Sequence, residues 1–255
     1  SLVRDLLLRP EPPAAAGTEI RQPRIGLYRP WNASMDEGWT RWIADMYELR
    51  YTSLYNPDVL AGNLRERYDV IVIADMGAGT IMNGFARGSV PARYAGGIGS
   101  QGVRELDRFV RAGGTLVTIN ASSNFAIDQL RLPVENVAQG LRRTDFSVSG
   151  SIHAVTTDPS HPVMSGMPEQ ARLVIGSSPV FSTKEGFEGS ILAKYQDAGS
   201  PLLSGYLLGE RFLNGYAAAV DVKHGAGHVL LLGMRPQWRG QPFGSFKVLF
   251  KAGLY

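Results

Sequence analysis

A turn of the kind that carries a nucleophile stands near the middle of the chain, between a buried apolar run and a new helix. Thr115–Ile119 is typical of a strand, and it is followed by Asn120, Ala121, Ser122 and Ser123. In α/β hydrolytic and amide-transfer enzymes, such a turn exposes a nucleophile beside helix N-terminal amides that can stabilise an oxyanion. Here it offers no thiol, because none of the 255 residues is cysteine. The sequence therefore predicts an active-site scaffold without its usual chemistry.

Ser122 and Ser123 are the candidate catalytic nucleophiles at this turn. A serine nucleophile needs a base within hydrogen-bond reach. The four histidines lie in a later region of short strands or around the turn before the last strand: His153, His161, His224 and His228. None is predicted at the carboxyl end of a strand, and the last two are expected in solvent. Serine hydrolysis is therefore an alternative to a binding function, not the leading interpretation.

The sequence gives no pattern for a metal, nucleotide, nucleic acid or membrane partner. It lacks His-x-x-Glu and His-Glu-x-x-His spacings, so we expect neither a metal nor another cofactor in this chain. The glycines between residues 77 and 99 lack phosphate-loop spacing. A net charge of +3 without a Lys/Arg block argues against nucleic acid. No apolar run approaches the ~18 residues of a membrane span.

Buried strands must position the turn. Four apolar segments are predicted to be parallel neighbours in one sheet: 24–28, 69–75, 115–119 and 228–234. Amphipathic helices alternate with the first three, which is typical of a doubly wound sheet. After Phe146, short strands separated by Gly, Pro and Ser predict an antiparallel extension. The predicted fold is therefore α/β, with a doubly wound, mainly parallel sheet extended by antiparallel strands in the second half.

The chain divides into a short leading segment and a globular part. Residues 1–22 contain Pro10, Pro12 and Pro13, and are predicted to be a linker or the tail of a preceding domain. Residues 23–255 are predicted to form one α/β domain. The chain starts with Ser1, which suggests a piece of a longer protein.

The first helix has a clear start signal. Ser34 and Glu37 match a capping box, in which the serine side chain caps the helix. Asp36 and Glu37 are interpreted as helix N-terminal charges favoured by the macrodipole, not as catalytic acids. Helical spacing predicts one buried stripe that consists of Trp39, Trp42, Ile43, Met46 and Leu49.

In a doubly wound sheet, ligands bind beyond the carboxyl ends of the strands. The candidate ligand-binding residues at this edge are Arg29, Trp31, Asp75, Asn120, Ser122, Arg235, Gln237, Trp238 and Arg239. Their guanidinium, amide, hydroxyl and indole groups suit a carboxylate, a sugar or a peptide end. We expect one concavity, with Arg235 as the anchor and Trp238 over an apolar face. The alternative is a relic site, in which Arg235 pairs with Asp75 or with loop carbonyls.

The layout from Pro23 to Tyr255 resembles the class I glutamine amidotransferase-like superfamily, which has a flavodoxin-like fold. The stretches that carry the resemblance are Asp69–Asp75, Gly113–Val117 and Asp158–Pro168, the last similar to a stretch of the trehalose-utilisation-like branch. The resemblance implies a cysteine at the turn after Thr115–Ile119, here called the elbow, and a His-x-Glu after a late strand. This chain has Asn120-Ala121-Ser122 and Arg235-Pro236-Gln237 at those places.

Aromatic motifs also resemble the C-terminal domain of bacterial secreted zinc carboxypeptidase-like proteins. They are Arg24–Trp31, Met35–Trp42, Pro201–Gly209 and Arg235–Gln241. The resemblance implies a non-catalytic accessory domain of a secreted or periplasmic protein, with zinc only in a preceding metallopeptidase domain of the same polypeptide. Such a domain would support the peptidase or bind a peptide or cell-wall ligand. The alternatives are a serine hydrolase at Ser122 or Ser123, and a carbohydrate-binding domain that uses Trp31 and Trp238.

Overall fold

A computed structural model describes residues 22–255, so the predicted linker over residues 1–22 lies, apart from Gln22, outside the described residues. The strands in this range are β1 (Ile25–Tyr28), β2 (Thr52–Leu54), β3 (Val70–Ile73), β4 (Thr115–Ile119), β5 (Val134–Asn136), β6 (Ser147–Val148), β7 (Ser151–Thr157), β8 (Gln170–Ile175), β9 (Phe181–Thr183), β10 (Gly189–Lys194), β11 (Leu202–Ser204), β12 (Leu207–Leu208), β13 (Ala217–His224) and β14 (Gly227–Leu232). The α-helices are α1 (Met35–Met46), α2 (Asn56–Leu60), α3 (Leu64–Arg67), α4 (Ala78–Asn83), α5 (Gly99–Arg111), α6 (Ser122–Leu130) and α7 (Phe246–Leu254).

Five strands form the parallel half of the sheet, in the order β2-β1-β3-β4-β14. The run Val70–Ile73 is buried along its whole length, because strands in the middle of a parallel sheet are covered on both faces. All four strands predicted as parallel neighbours lie in this sheet. The predicted doubly wound, mainly parallel fold is therefore confirmed.

The other half of the sheet is antiparallel, as predicted. It begins where β13 pairs with β14, and it continues through β10, β7 and β11. Two of the short strands predicted after Phe146, β11 and β12, are separated by a turn at Gly205, where φ is +98°. β11 pairs with β7, whereas β12 pairs with β6 in a separate ladder. The glycine-rich segment between residues 76 and 99, in which the sequence shows no periodicity, contains α4.

Helices cover both faces of the sheet. α5 and α6 bury Phe109 and Phe125 in one core, together with side chains of β3 and β4. α7 buries Val248 and Leu249 in the core on the opposite face. Burying a phenylalanine side chain such as Phe109, which is 1% exposed, contributes about 2–3 kcal/mol. The two cores fix the strands whose carboxyl ends carry the candidate site.

The buried side of α1 differs from the predicted stripe. Ile43 is fully buried, but Trp42 and Met46 are 44% and 49% exposed. The helix instead buries its acidic first turn, with Asp36 and Glu37 at 5% and 4% exposure. The prediction of one apolar stripe was wrong, because the interior at this end of α1 is a polar cluster and not an apolar core.

Candidate ligand-binding site

Asn120 occupies the sharp turn between β4 and α6. Its φ of +56° lies in the left-handed region, and asparagine tolerates this conformation better than most residues. The side chain is 1% exposed, and the backbone amide donates a hydrogen bond to the Leu232 carbonyl at 2.7 Å. The elbow predicted from the sequence is therefore present. An uncharged carboxamide, which is not a nucleophile, stands at its apex.

The two elbow serines are fully buried. The Ser122 hydroxyl lies 3.0 Å from the Ile73 carbonyl and accepts a hydrogen bond from the Ile119 amide at 2.9 Å. The Ser123 hydroxyl contacts the Thr118 hydroxyl at 3.2 Å. No histidine among residues 22–255 hydrogen-bonds to either serine. This geometry favours a structural role, in which the hydroxyls fasten α6 to the strand ends, over serine catalysis.

Asp36, Asp75 and Arg235 form a cluster at the strand ends, here called the charged triad. Arg235 Nη2 forms an ion pair with Asp75, and Nη1 lies 3.5 Å from Asp36 Oδ2. Asp75 also accepts a hydrogen bond from the Ala121 amide at 3.0 Å, which ties the triad to the elbow. Burial raises the pKa of Asp36 to about 6; the Arg235 charge opposes this rise and the Asp75 charge adds to it. The pairing of Arg235 with Asp75 is the arrangement expected of a relic site.

Polar residues from α1 and from the loop between β14 and α7 lie at the same edge of the sheet. Ser34 caps α1 by accepting a hydrogen bond from the Glu37 amide at 3.2 Å, as the capping box predicts. Gln237 is fully buried, and its Nε2 donates to Thr40 Oγ1 at 3.0 Å. Some buried atoms at this edge have no hydrogen-bond partner within the described part of the chain: Asp36 Oδ1, Asn120 Oδ1, Arg235 Nε and Gln237 Oε1. Asp36, Asn120 and Gln237 are thus buried among the protein's own side chains at this edge.

Two clefts open beside the charged triad and meet at Trp238. The polar cleft, of about 520 Å³, is lined by Asn136, Ala138, Leu141, Arg143, Phe146–Gly150, Val174, Gly176–Ser178, Arg235 and Trp238. The apolar cleft, of about 500 Å³, is lined by Gly150–Ile152, Arg172, Val174, Ser204, Gly205, Trp238 and Gln241–Ser245. The Arg239 guanidinium lies 4.7 Å from the centroid of the Trp238 ring. Trp238 therefore forms a wall shared by both clefts.

Arg29 and Trp31 lie in a third, smaller cleft of about 220 Å³. Trp31 stacks on Tyr55 with ring centroids 4.8 Å apart, and Arg29 donates a hydrogen bond to the Tyr55 hydroxyl at 3.1 Å. The candidate residues therefore do not surround one concavity. Arg235 and Trp238 line the polar cleft, whereas Asp75, Asn120, Ser122 and Gln237 line none of the three clefts.

The histidines expected in solvent are paired instead. His228 Nδ1 lies 2.9 Å from Asp221, which also contacts His161 Nε2 at 3.2 Å and the Tyr255 hydroxyl at 2.8 Å. His224 lies 2.6 Å from Asp107. Within residues 22–255, no group of three or more His, Asp or Glu side chains could hold a metal ion. None of the helices in that range has the length and apolarity needed to cross a membrane.

Ser151 and His153 form a buried pair on β7. Ser151 Oγ lies 2.8 Å from His153 Nε2, and the two residues are 1% and 0% exposed. Burial lowers the pKa of His153 to about 4, because the charged imidazolium would lose its hydration. The imidazole is therefore neutral in the folded protein near pH 7 and contributes to the interior rather than to a reaction site.

We expect this histidine to make the fold sensitive to acid. Between pH 6.5 and about 4 the unfolded chain binds a proton at His153 and the folded chain does not, so the free energy of unfolding falls as the pH falls. Over this pH range the free energy of unfolding should fall by about 2–3 kcal/mol. Urea unfolding at pH 7.5, 5.5 and 4.5 measures it. His153→Gln should make the free energy of unfolding less dependent on pH in this range. An unchanged pH dependence would contradict the assignment of the acid sensitivity to His153.

Sequence reasoning missed two arginines that line the clefts. Arg143 lies in the polar cleft and Arg172 in the apolar cleft, and both are exposed. Neither stands in a motif: Arg143 lies in the loop before β6 and Arg172 on β8, so only the tertiary fold brings them near Trp238. No local pattern in the sequence identifies them.

Solved structures share this fold at low sequence identity. A GMP synthase subunit from Thermoplasma acidophilum is similar with a TM-score of 0.55 and 6% identity, over 91% of this chain and 94% of that one. A ThuA-like protein from Bacteroides uniformis is similar with a TM-score of 0.50 and 11% identity, over 95% of this chain and 94% of that one. A cytoplasmic protein from Salmonella typhimurium is similar with a TM-score of 0.53 and 14% identity, over 91% of this chain and 97% of that one. No family model and no curated protein matches the chain.

These likenesses define the class of fold. The sheet order and the similar structures are those of a flavodoxin-like fold of the glutamine amidotransferase type. Because the identities are low, the likenesses show the fold alone.

Proposed function

We propose that this chain is a non-catalytic binding domain on a glutamine amidotransferase-like scaffold. The observation that carries the proposal is the elbow. There Asn120 has the left-handed backbone conformation, and Ser122, two residues later, is buried. The superfamily that the sequence resembles has a cysteine at the elbow and a His-x-Glu after the late strand. Here, Arg235 is held by Asp75 and Gln237 by Thr40. These residues supply neither a nucleophile nor a general base.

We further propose that the domain is an accessory domain of an exported zinc carboxypeptidase-like protein. The support is the sequence resemblance in the stretches Arg24–Trp31, Met35–Trp42 and Arg235–Gln241. In this proposal zinc belongs to a preceding peptidase domain, which is the partner of this chain. The open reading frame upstream of Ser1 tests the proposal, because it should encode His-x-x-Glu and a distant histidine.

A carbohydrate-binding function is the second candidate. It is favoured by the half-buried Trp238 in a cleft with several serines, since indole rings combine an apolar face with a polar edge. The ThuA-like structure at a TM-score of 0.50 fits this candidate loosely. Binding of neutral oligosaccharides that is lost in Trp238→Ala would favour it over the accessory-domain proposal.

The non-catalytic proposal is tested by turnover and by labelling. We expect no hydrolysis of glutamine, p-nitrophenyl esters or peptide carboxyl-terminal residues, and no stoichiometric zinc by elemental analysis. A fluorophosphonate should label neither Ser122 nor Ser123, because both are 0% exposed. Mass-spectrometric detection of a label on either serine, or turnover that scales with protein concentration, would overturn the proposal.

A further inference from the structure

Two arginines in the clefts beside Trp238 have no acidic partner within the described residues, whereas a third, Arg235, pairs with Asp36 and Asp75. Arg143 and Arg235 line the polar cleft, Arg172 lines the apolar cleft, and neither lining includes Asp or Glu among the described residues. Arg143 and Arg172 form no ion pair with any residue of the described range, in contrast to Arg235. Clefts charged in this way attract anions, and guanidinium binds a carboxylate in a two-pronged geometry.

The polar cleft also offers neutral donors and a strained backbone. The hydroxyls of Ser149 and Ser177 hydrogen-bond to no residue in the part of the chain that the structure describes. Ser177 has a φ of +51°, in the left-handed region that non-glycine residues occupy infrequently. Its neighbour Ser178 holds this turn by accepting a hydrogen bond from the Gly176 amide at 3.1 Å. Such strain is concentrated where side chains are positioned for binding.

The apolar cleft presents hydrophobic surface directly beyond Trp238. Ile152 is 39% exposed and Phe243 is 61% exposed, and both line this cleft. A ligand that spans both clefts would place an anionic group near Arg143 and an apolar group against Phe243. An acidic saccharide would satisfy the arginines but would set its hydroxyl groups against apolar surface, which costs free energy where they lose hydrogen bonds to water.

We propose that the two clefts bind the carboxyl-terminal end of a peptide whose last residue is apolar. The terminal carboxylate lies at Arg143 in the polar cleft, and the last side chain packs on Trp238 and Phe243 in the apolar cleft. The inference deepens the proposed binding function and rests on it. It assigns recognition to the group that distinguishes the end of a polypeptide from its interior.

The test compares two peptides that differ only in that group. Calorimetric titration with N-acetyl-Leu-Phe and with its carboxyl amide should show binding of the acid at least tenfold tighter, because the amide loses the charge-assisted hydrogen bonds. Arg143→Ala should weaken binding of the acid about tenfold. Arg142→Ala is the matched control, because this neighbour is exposed and pairs with Asp145 outside both clefts. We expect it to change the dissociation constant less than twofold.

Other results of the peptide titrations would overturn the inference. Equal affinity for acid and amide, no binding of either peptide, or an unchanged affinity in Arg143→Ala overturns the inference. Binding of trigalacturonic acid in place of the peptide, with the same dependence on Arg143, also overturns it but leaves the binding-domain proposal standing. The proposed function itself falls only if turnover or serine labelling is observed.

Discussion

Arg235→Ala is expected to lower the free energy of unfolding by about 3–5 kcal/mol, because it leaves two buried carboxylates without their cation. The side chains of Asp36 and Asp75 are 6% and 12% exposed, and the Arg235 guanidinium contacts both. Without it, at least one carboxyl group must bind a proton to remain buried. The loss should therefore be larger at pH 8 than at pH 5. Urea unfolding at the two pH values measures it.

A second substitution separates charge from packing. Asp36→Asn in the Arg235→Ala background removes one of the two carboxylates and should restore about 1–2 kcal/mol at pH 8. Arg239→Ala is the matched control, since Arg239 lies in the same loop and is exposed, with no ion pair inside the described range. We expect a change within about 0.5 kcal/mol. A loss below 1 kcal/mol in Arg235→Ala would show that the triad does not stabilise the fold.

Gly227→Ala is expected to destabilise the protein by about 3 kcal/mol or more. Gly227 begins β14, and an added Cβ would overlap the carbonyl oxygens of Val110 and Gly114. Both are backbone atoms and cannot move aside by a change of rotamer. The sheet would have to separate from α5 at the point where β14 pairs beside β4. Thermal and urea unfolding of the purified variant measure the loss.

Gly244→Ala provides the comparison for this substitution. Gly244 has no atom within 4 Å of an added Cβ, and its φ is not positive. We expect a change within about 0.5 kcal/mol, because a surface position with free space tolerates a methyl group. If the two alanine variants were equally stable, close backbone approach at Gly227 would not be a constraint on the fold.

The parallel half of the sheet could be predicted from the sequence, because its main strands are short apolar runs that alternate with amphipathic helices. Val70–Ile73 is buried on both faces, as its short length and its β-branched residues predict for an inner strand. The presence of β14 in the same parallel sheet followed from the same reasoning, whereas its place beside β4 is known only from the structure. The two strands around Gly205 and helix α4 could not be resolved, because elements of two to six residues are too short to give a periodic signal.

The site was harder to predict, because its residues are polar in sequence but buried in the fold. Asp36 was interpreted as a helix N-terminal charge, which it is, but its burial against Arg235 depends on a contact 199 positions along the chain. Helical spacing alone favoured Trp42 as the inward side chain. Partners so distant in sequence leave no local pattern, and the charges of Arg143 and Arg172 near Trp238 were invisible for the same reason.

The position of β4 has a consequence for how the chain is made. Thr118 in β4 donates a hydrogen bond to the Leu230 carbonyl of β14 at 3.1 Å, across 112 positions of sequence. A ribosome needs roughly 5–20 s to add that many residues. Throughout this interval, β4 can pair with β3 on one side, but its other edge has open amide and carbonyl groups. An edge of this kind templates aggregation. Translation that stops between β13 and β14 therefore releases a sheet without its central strand.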